Sequence, residues 1–204
     1  LDVDDAVGVH READLDPVEL TFAQPAELDH FLHQGIHVHA GVRRAAGRLS
    51  PEKGFDLLID AMALLPEARL TIVGDGPLEG QLRAQAERVA PGRISFTGRL
   101  DRDGVLAQLR GARVVVIPSQ WYENLPLAVI EAGGSGVAPV VTTLGGAPQM
   151  VTDGVDGWVV EPRPEALAAA IAIPLADPDL AVQMGKAART RAETDYDASD
   201  HLEQ

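Results

Sequence analysis

The stretch that decides the fold is Ala112–Ala132, ARVVVIPSQWYENLPLAVIEA. Arg113–Ile117 is a short, almost wholly apolar run of strand length, the pattern of a strand buried on both faces. Pro118 stops it, because proline cannot donate to a sheet ladder. Pro126 then opens a helix over Pro126–Ala132, close to the first-turn position that proline prefers. A buried strand, a loop and a helix in that order make one unit of a parallel α/β sheet.

The same unit repeats on either side. Phe55–Leu65, FDLLIDAMALL, is apolar with helical spacing. Arg69–Val73 is a strand ending at Gly74, and Leu78–Val89 is an amphipathic helix with Pro77 just before it. Ile94–Thr97 is a strand ending at Gly98. Asp101 is placed to cap a helix running to Arg110. After the deciding stretch come strands at Val140–Thr143 and Trp158–Val160, then helices at Pro164–Ile173 and Pro178–Thr194. Short apolar strands alternating with helices of about 10 residues or more predict a parallel sheet covered on both faces. The expected fold is therefore α/β, a doubly wound, Rossmann-like sheet. Ligands on such sheets sit past the carboxyl ends of the strands. The turns after Gly47, Val73, Thr97, Ile117 and Thr143 are where function is expected.

Residues 1–35 fit this pattern poorly and are read as an extension, with the Rossmann-like domain over 36–204. The start, LDVDDAVGVHREADLDP, is acidic and aperiodic. Pro25–Gln34 has helical character with Gly35 as its stop, and Ile36–His39 alternates like a strand. The chain opens on Leu1 with no start Met and no basic segment, so no signal peptide is expected and a piece of a longer protein is.

Composition narrows the function classes. Among 204 residues there is no cysteine, which excludes disulfide scaffolds and thiolate sites and makes the cytoplasm the expected compartment. No apolar run approaches the ~18 residues of a membrane helix. The net charge is −14, so phosphate backbones would be repelled and nucleic-acid binding is not expected. An anionic small ligand needs only a few cations in one place. The chain has two lysines, Lys53 and Lys186, and Lys53 lies on one of the turns singled out above.

That turn is Gly47-Arg48-Leu49-Ser50-Pro51-Glu52-Lys53-Gly54. Glycine lets backbone approach a ligand closely, Arg48 can fork onto phosphate oxygens, and Lys53 adds a point charge. A turn with two solvated cations is the plainer reading. The loop after the deciding strand, Pro118–Pro126, leads into a helix whose free N–H groups and dipole favour an anion near Asn124 and Leu125. Glu123 precedes that helix, and Glu131 lies about a turn and a half inside it. Carboxylates accept hydrogen bonds from sugar hydroxyls, though a lone glutamate on a helix is usually just solvated. A third turn, Thr143-Leu144-Gly145-Gly146, is rich in glycine and equally open to a structural reading.

Together these segments resemble the group 1 family of retaining GT-B glycosyltransferases. The likeness runs from about Gly47 to about His201. It rests on GRLSPEKGFDLLIDA, RLTIVGDGPLEGQL, RISFTGRL, ARVVVIPSQWYENLPLAVIEA and GGAPQMVTDGVDGWVV, in the family's order. Glu123 and Glu131 match its E-x7-E signature. The resemblance implies that Arg48 and Lys53 bind the donor diphosphate and stabilise it as leaving group. It implies that Glu123 lies near the transferred sugar, that Asn124 and Leu125 present backbone to sugar or phosphate, and that Glu131 binds the ribose. Gly47 would allow the close approach, and backbone near Arg99 would cradle the base. It also implies retention of anomeric configuration, no bound metal, no cofactor beyond the nucleotide sugar, and an acceptor-binding N-terminal domain not found in these residues. The chain departs from the family in three places. Gln149 stands where an acid is usual, Arg43 and Arg44 stand in the first strand, and Gly133 and Gly134 should loosen the end of their helix.

Other patterns point elsewhere and are set aside. Asp2-Val3-Asp4 and Asp195-Tyr196-Asp197 spell DxD, but neither caps a core strand. His30, His33, His37 and His39 lie within ten residues, without the acid pattern that would support a metal site. Gly74–Gly80 has GxGxxxG rather than dinucleotide spacing, and no acid ends the strand that follows. A non-catalytic sugar-nucleotide-binding fragment or subunit is the alternative to a transferase domain, and a nucleotide-sugar epimerase comes after it.

Overall fold

The computed structural model describes residues 41–43, 48–122 and 126–196. The chain divides into two units, Leu1–Val38 and His39–Gln204, and every described residue belongs to the second. The extension read over 1–35, the helix and strand read within 25–39, and the four histidines lie outside the described residues.

Among the described residues, six short strands alternate with helices, as the repeat of the sequence predicts. They are β1 Gly41–Arg43, β2 Arg69–Ile72, β3 Ile94–Phe96, β4 Val115–Ile117, β5 Pro139–Thr142 and β6 Trp158–Val160. The helices are α1 Phe55–Ala61, α2 Glu79–Val89, α3 Arg102–Arg110, α4 Leu127–Gly134, α5 Pro164–Ala176 and α6 Pro178–Asp195. Every strand pair is parallel. Val42 pairs with Leu70 and Thr71 with Ser95, giving the order β1-β2-β3. Val116 pairs with Val140 and Val141 with Val159, giving β4-β5-β6. β1 lies alongside β4. The two triplets therefore run outward in opposite directions from the β1/β4 boundary, the doubly wound order.

Burial of both sheet faces follows the strand period of two. On the deciding strand, Val114 and Val116 enter one apolar cluster, while Val115 and Ile117 enter another. On β5, Val140 and Val141 divide in the same way. The first cluster is closed by Phe55, Leu58 and Ile59 of α1 and by Leu167 and Ile171 of α5. The second is closed by Val105 and Leu109 of α3 and by Val129 and Ala132 of α4. Each fully buried side chain of this size contributes about 1.5–3 kcal/mol. A polar residue on either face of β4 would therefore be costly.

The helix ends follow from local chemistry. Asp101 accepts a hydrogen bond from the Gly104 N–H at 2.8 Å, so the expected cap is present. Asp177 caps α6 through the Leu180 N–H at 3.0 Å, with Pro178 in the first turn. One expectation is corrected. Gly133 and Gly134 do not loosen the end of α4, which runs through Gly134. A Cβ at Gly133 would meet the Ala188 carbonyl oxygen at 2.7 Å, so the glycine lets α4 and α6 pack closely and packing outweighs propensity.

Candidate functional site

In a doubly wound sheet the two innermost strands diverge at their carboxyl ends and leave a crevice between their loops. Here those loops follow β1 and β4. The first contains Arg48 and Lys53. The second is Pro118–Tyr122, leading towards α4. Gly47, Glu123, Asn124 and Leu125 lie outside the described residues, whereas Arg48, Lys53, Arg99 and Glu131 are described.

The Arg48 turn is built by backbone. The Leu49 N–H donates to the Asp75 carbonyl at 2.7 Å, and the Leu49 carbonyl accepts from the Leu78 N–H at 3.0 Å. This grip on the turn after β2 requires Gly76, where a Cβ would sit 2.4 Å from the Leu49 nitrogen. Gly76 belongs to the GxGxxxG run, and its role is this close approach. Pro51–Lys53 then forms one 3-10 turn, with the Lys53 N–H donating to the Ser50 carbonyl at 3.1 Å. Gly54 ends that turn in the left-handed conformation, φ 66°, and begins α1. A Cβ there would lie 1.9 Å from the Pro118 carbonyl oxygen, so glycine lets the two loops meet.

The second loop is fixed from both sides. The Thr142 hydroxyl donates to the Ser119 carbonyl at 2.6 Å, and the Gln120 N–H donates to the Glu52 carbonyl at 2.8 Å. Trp121 and Tyr122 follow, 67% and 76% exposed. Glu131 is half-buried in the second turn of α4. Arg99 is exposed beyond the end of β3, two strands from β1. The Gly74 N–H donates to the Gly98 carbonyl at 2.9 Å, which ties that loop to the turn after β2. The structure thus gathers Arg48, Lys53 and the helix bearing Glu131 at the β1/β4 boundary, with Arg99 further along the same edge.

The turn is electrostatically mixed. Glu52 titrates below its ordinary value, chiefly because the Ser50 hydroxyl donates to its carboxylate at 2.5 Å, with smaller contributions from Lys53 and Arg48. Arg48 and Lys53 lie on the same turn, five residues apart in sequence. Arg48 is exposed.

Among the described residues, no group of three or more His, Asp or Glu side chains could hold a metal ion. Of the two DxD runs, Asp195 is described. It lies 3.4 Å from Arg191 on α6, away from any strand end. No single helix among the described residues is long and apolar enough to cross a membrane. Gln120 was not singled out by the sequence, because its side-chain partner, Asp56, is 64 residues away.

Comparison with known proteins agrees with this geometry. The family "Glycosyl transferases group 1" matches residues 44–191. Glycogen synthase of Mycobacterium tuberculosis (strain ATCC 25618 / H37Rv) is 38% identical over 160 residues, covering 74% of this chain and 38% of that protein. Phosphatidyl-myo-inositol mannosyltransferase of the same strain is 33% identical over 192 residues, covering 92% of this chain and 47% of that protein. The crystal structure of Anabaena Alr3699/HepE in complex with UDP and glucose matches with a TM-score of 0.76 at 26% identity. It covers 89% of this chain and 51% of that chain. The C-terminal domain of a group 1 family protein, LpcC of Francisella tularensis, shares the fold at a TM-score of 0.69 and 20% identity. The likeness covers 78% of this chain and 86% of that domain. The chain spans about half or less of the full-length relatives it matches. Its Rossmann-like sheet corresponds to the C-terminal half of the GT-B architecture. With the family match taking in both loops of the crevice and the sheet beneath them, the chain belongs to the group 1 glycosyltransferases.

Proposed function

We propose that this domain holds the donor of a glycosyl transfer, a nucleoside diphosphate sugar, with its diphosphate at the β1/β4 boundary. One observation carries the reading. The loops after the two innermost strands are hydrogen-bonded to each other there, and one of them bears Arg48 and Lys53 on a chain of net charge −14. Joined to an acceptor-binding domain, it would transfer the sugar with retention and without a bound metal.

In that reaction the acceptor hydroxyl forms the new bond to the anomeric carbon on the face the diphosphate leaves. The bond from that carbon to the phosphate oxygen breaks, and a phosphate oxygen takes the hydroxyl proton. Negative charge grows on the diphosphate as the bond breaks. In this reading Arg48, Lys53 and the N-terminal N–H groups of α4 favour that charge more than the ground state. Losing one such donor typically costs about 10²–10³ in rate. In this reading Glu123 serves the transferred sugar, and Asn124 and Leu125 offer backbone to sugar or phosphate. Glu131 serves the ribose, Gly47 permits the close approach, and backbone near Arg99 meets the base.

The Anabaena complex with UDP supports the ligand class. Calorimetry with UDP, GDP and ADP tests it. One of the three should bind in the micromolar to millimolar range, about −8 to −4 kcal/mol. Binding of none of them would end the donor-site reading. A second reading, sugar-nucleotide binding without turnover by this polypeptide alone, is favoured by its span of about half or less of its relatives. It predicts negligible transfer by the chain by itself. Efficient transfer without added protein would refute that second reading.

A further inference from the structure

Only the backbone of Gln120 enters the reading above, yet its side chain also makes contacts across the β1/β4 boundary. Its backbone N–H donates to the carbonyl of Glu52, on the turn that carries Lys53. Its side-chain Nε2 donates to Asp56 Oδ1 at 2.9 Å, in the first turn of α1. The residue before it is held from the opposite side by the Thr142 hydroxyl, at 2.6 Å. Beneath these bonds the Gly54 backbone abuts the Pro118 carbonyl, and a Cβ built at Gly54 would also lie 3.1 Å from Gln120 Cγ. The end of β4 is therefore clamped between β5 and the cation-bearing turn.

The chemistry of the clamp suits an amide. Both of its anchors on the cationic side are acceptors, a carbonyl and a carboxylate, so the clamping residue must supply two donors. A lysine could also reach a carboxylate, but it would add a third cation. A glutamate would face Asp56 with like charge and bring an anion to the crevice. Glutamine supplies the bond and leaves the local charge to Arg48 and Lys53.

We propose that Gln120 is a positioning residue for the donor diphosphate: it fixes the separation between the Lys53 turn and the loop after β4, so that both face one ligand. This rests on the donor-site reading of Arg48 and Lys53. A purely structural bond would hold the fold together but would not discriminate between ligands. A positioning bond acts on the part of the ligand that the turn contacts, the terminal phosphate.

The test is the gain in affinity from nucleoside monophosphate to diphosphate, UMP to UDP or GMP to GDP, measured calorimetrically for whichever base binds. Gln120→Ala should lower the diphosphate affinity at least about fivefold, with monophosphate affinity changed less than about twofold. Asp56→Ala removes the same bond from the other side and should give the same phosphate-selective loss, even if Gln120→Ala folds poorly. Asp56→Asn keeps an oxygen acceptor for Gln120 Nε2, so it should hold the gain to within about twofold of the unaltered chain. Equal losses for both ligands, no loss in either alanine variant, or a loss in Asp56→Asn as large as in Asp56→Ala would overturn the proposal while leaving the donor site standing. An unaltered chain that binds none of UDP, GDP and ADP would overturn the donor site and this proposal with it.

Discussion

Two regions of the domain use glycine to bring backbones into contact, and they treat charge in opposite ways. At the carboxyl end of the sheet, Gly54 and Gly76 let the Arg48 turn close on Pro118 and on the turn after β2. At the seam between α4 and α6, Gly133 faces the Ala188 carbonyl, and a Cβ at Gly185 would lie 2.1 Å from the Gly136 carbonyl oxygen. The seam neutralises its charge within the protein. Arg191 on α6 donates to Asp156 at 3.1 Å, to the Thr152 hydroxyl at 2.7 Å and to the Gln149 carbonyl at 3.1 Å. Burial alone would lower the Arg191 titration, but the hydrogen bond and charge of Asp156 outweigh it and hold the guanidinium above its usual range. The carboxyl end instead leaves Arg48 exposed on a close-packed backbone. Close packing with internal pairing makes a structural joint, whereas close packing beside the exposed Arg48 suits the anion proposed above.

The largest expected effect separates the two uses of glycine. Gly54→Ala meets both the positive φ and the Pro118 carbonyl, at a cost of about 2–4 kcal/mol, and it should also weaken nucleoside diphosphate binding. Gly185→Ala should cost about 1–3 kcal/mol by overpacking and leave nucleotide affinity unchanged. Thermal melts together with calorimetry check the pair. If Gly185→Ala weakened binding as much as Gly54→Ala, the contrast between joint and site would be gone.

Next comes the charge pair of the seam. Asp156 is 6% exposed, and it also accepts from the Thr152 N–H at 2.6 Å. Asp156→Ala leaves that N–H without its partner and takes the one carboxylate of this trio from Arg191, so stability should fall by about 1–3 kcal/mol with diphosphate affinity intact. Denaturant melts read the loss, and a change below about 0.5 kcal/mol would show that the pair adds little.

The smallest effect concerns Glu52. Its folded titration is lowered, so its ionised form contributes stability above the unfolded pKa, and that contribution is lost as pH falls through the lowered value. Ser50→Ala removes the largest cause and should return Glu52 towards the ordinary carboxylate range. The variant should melt below the unaltered chain at pH 7, and the part of the difference due to Glu52 should shrink as pH falls through the lowered value. A gap that does not change with pH would assign the effect to packing.

The alternation of strands and helices was legible from β2 onward because most of these strands are short, largely apolar runs with glycine or proline soon after, as Pro118 follows Ile117. The α6 boundary was legible from Asp177 and Pro178, whose capping chemistry is local. The 3-10 turns at Pro51–Lys53 and Ala147–Met150 were not, since single turns carry no apolar period. The Gly133 contact was not legible either, because only the approach of α6, more than 50 residues later, turns a poor helix former into a requirement. At the site, Arg48 and Lys53 stood out as a cationic pair on a glycine-bounded turn. Gln120 did not, because its side-chain partner comes from another repeat of the sheet.

The central claim, a donor diphosphate on Arg48 and Lys53, is tested most directly by removing both charges and changing only the ligand's phosphates. For the unaltered chain the diphosphate should bind at least about tenfold more tightly than the monophosphate of the same base, about 1.4 kcal/mol. In Arg48→Ala/Lys53→Ala that gain should fall below about twofold, while monophosphate affinity and melting temperature hold. An undiminished gain in the double variant would contradict the account and move the diphosphate elsewhere.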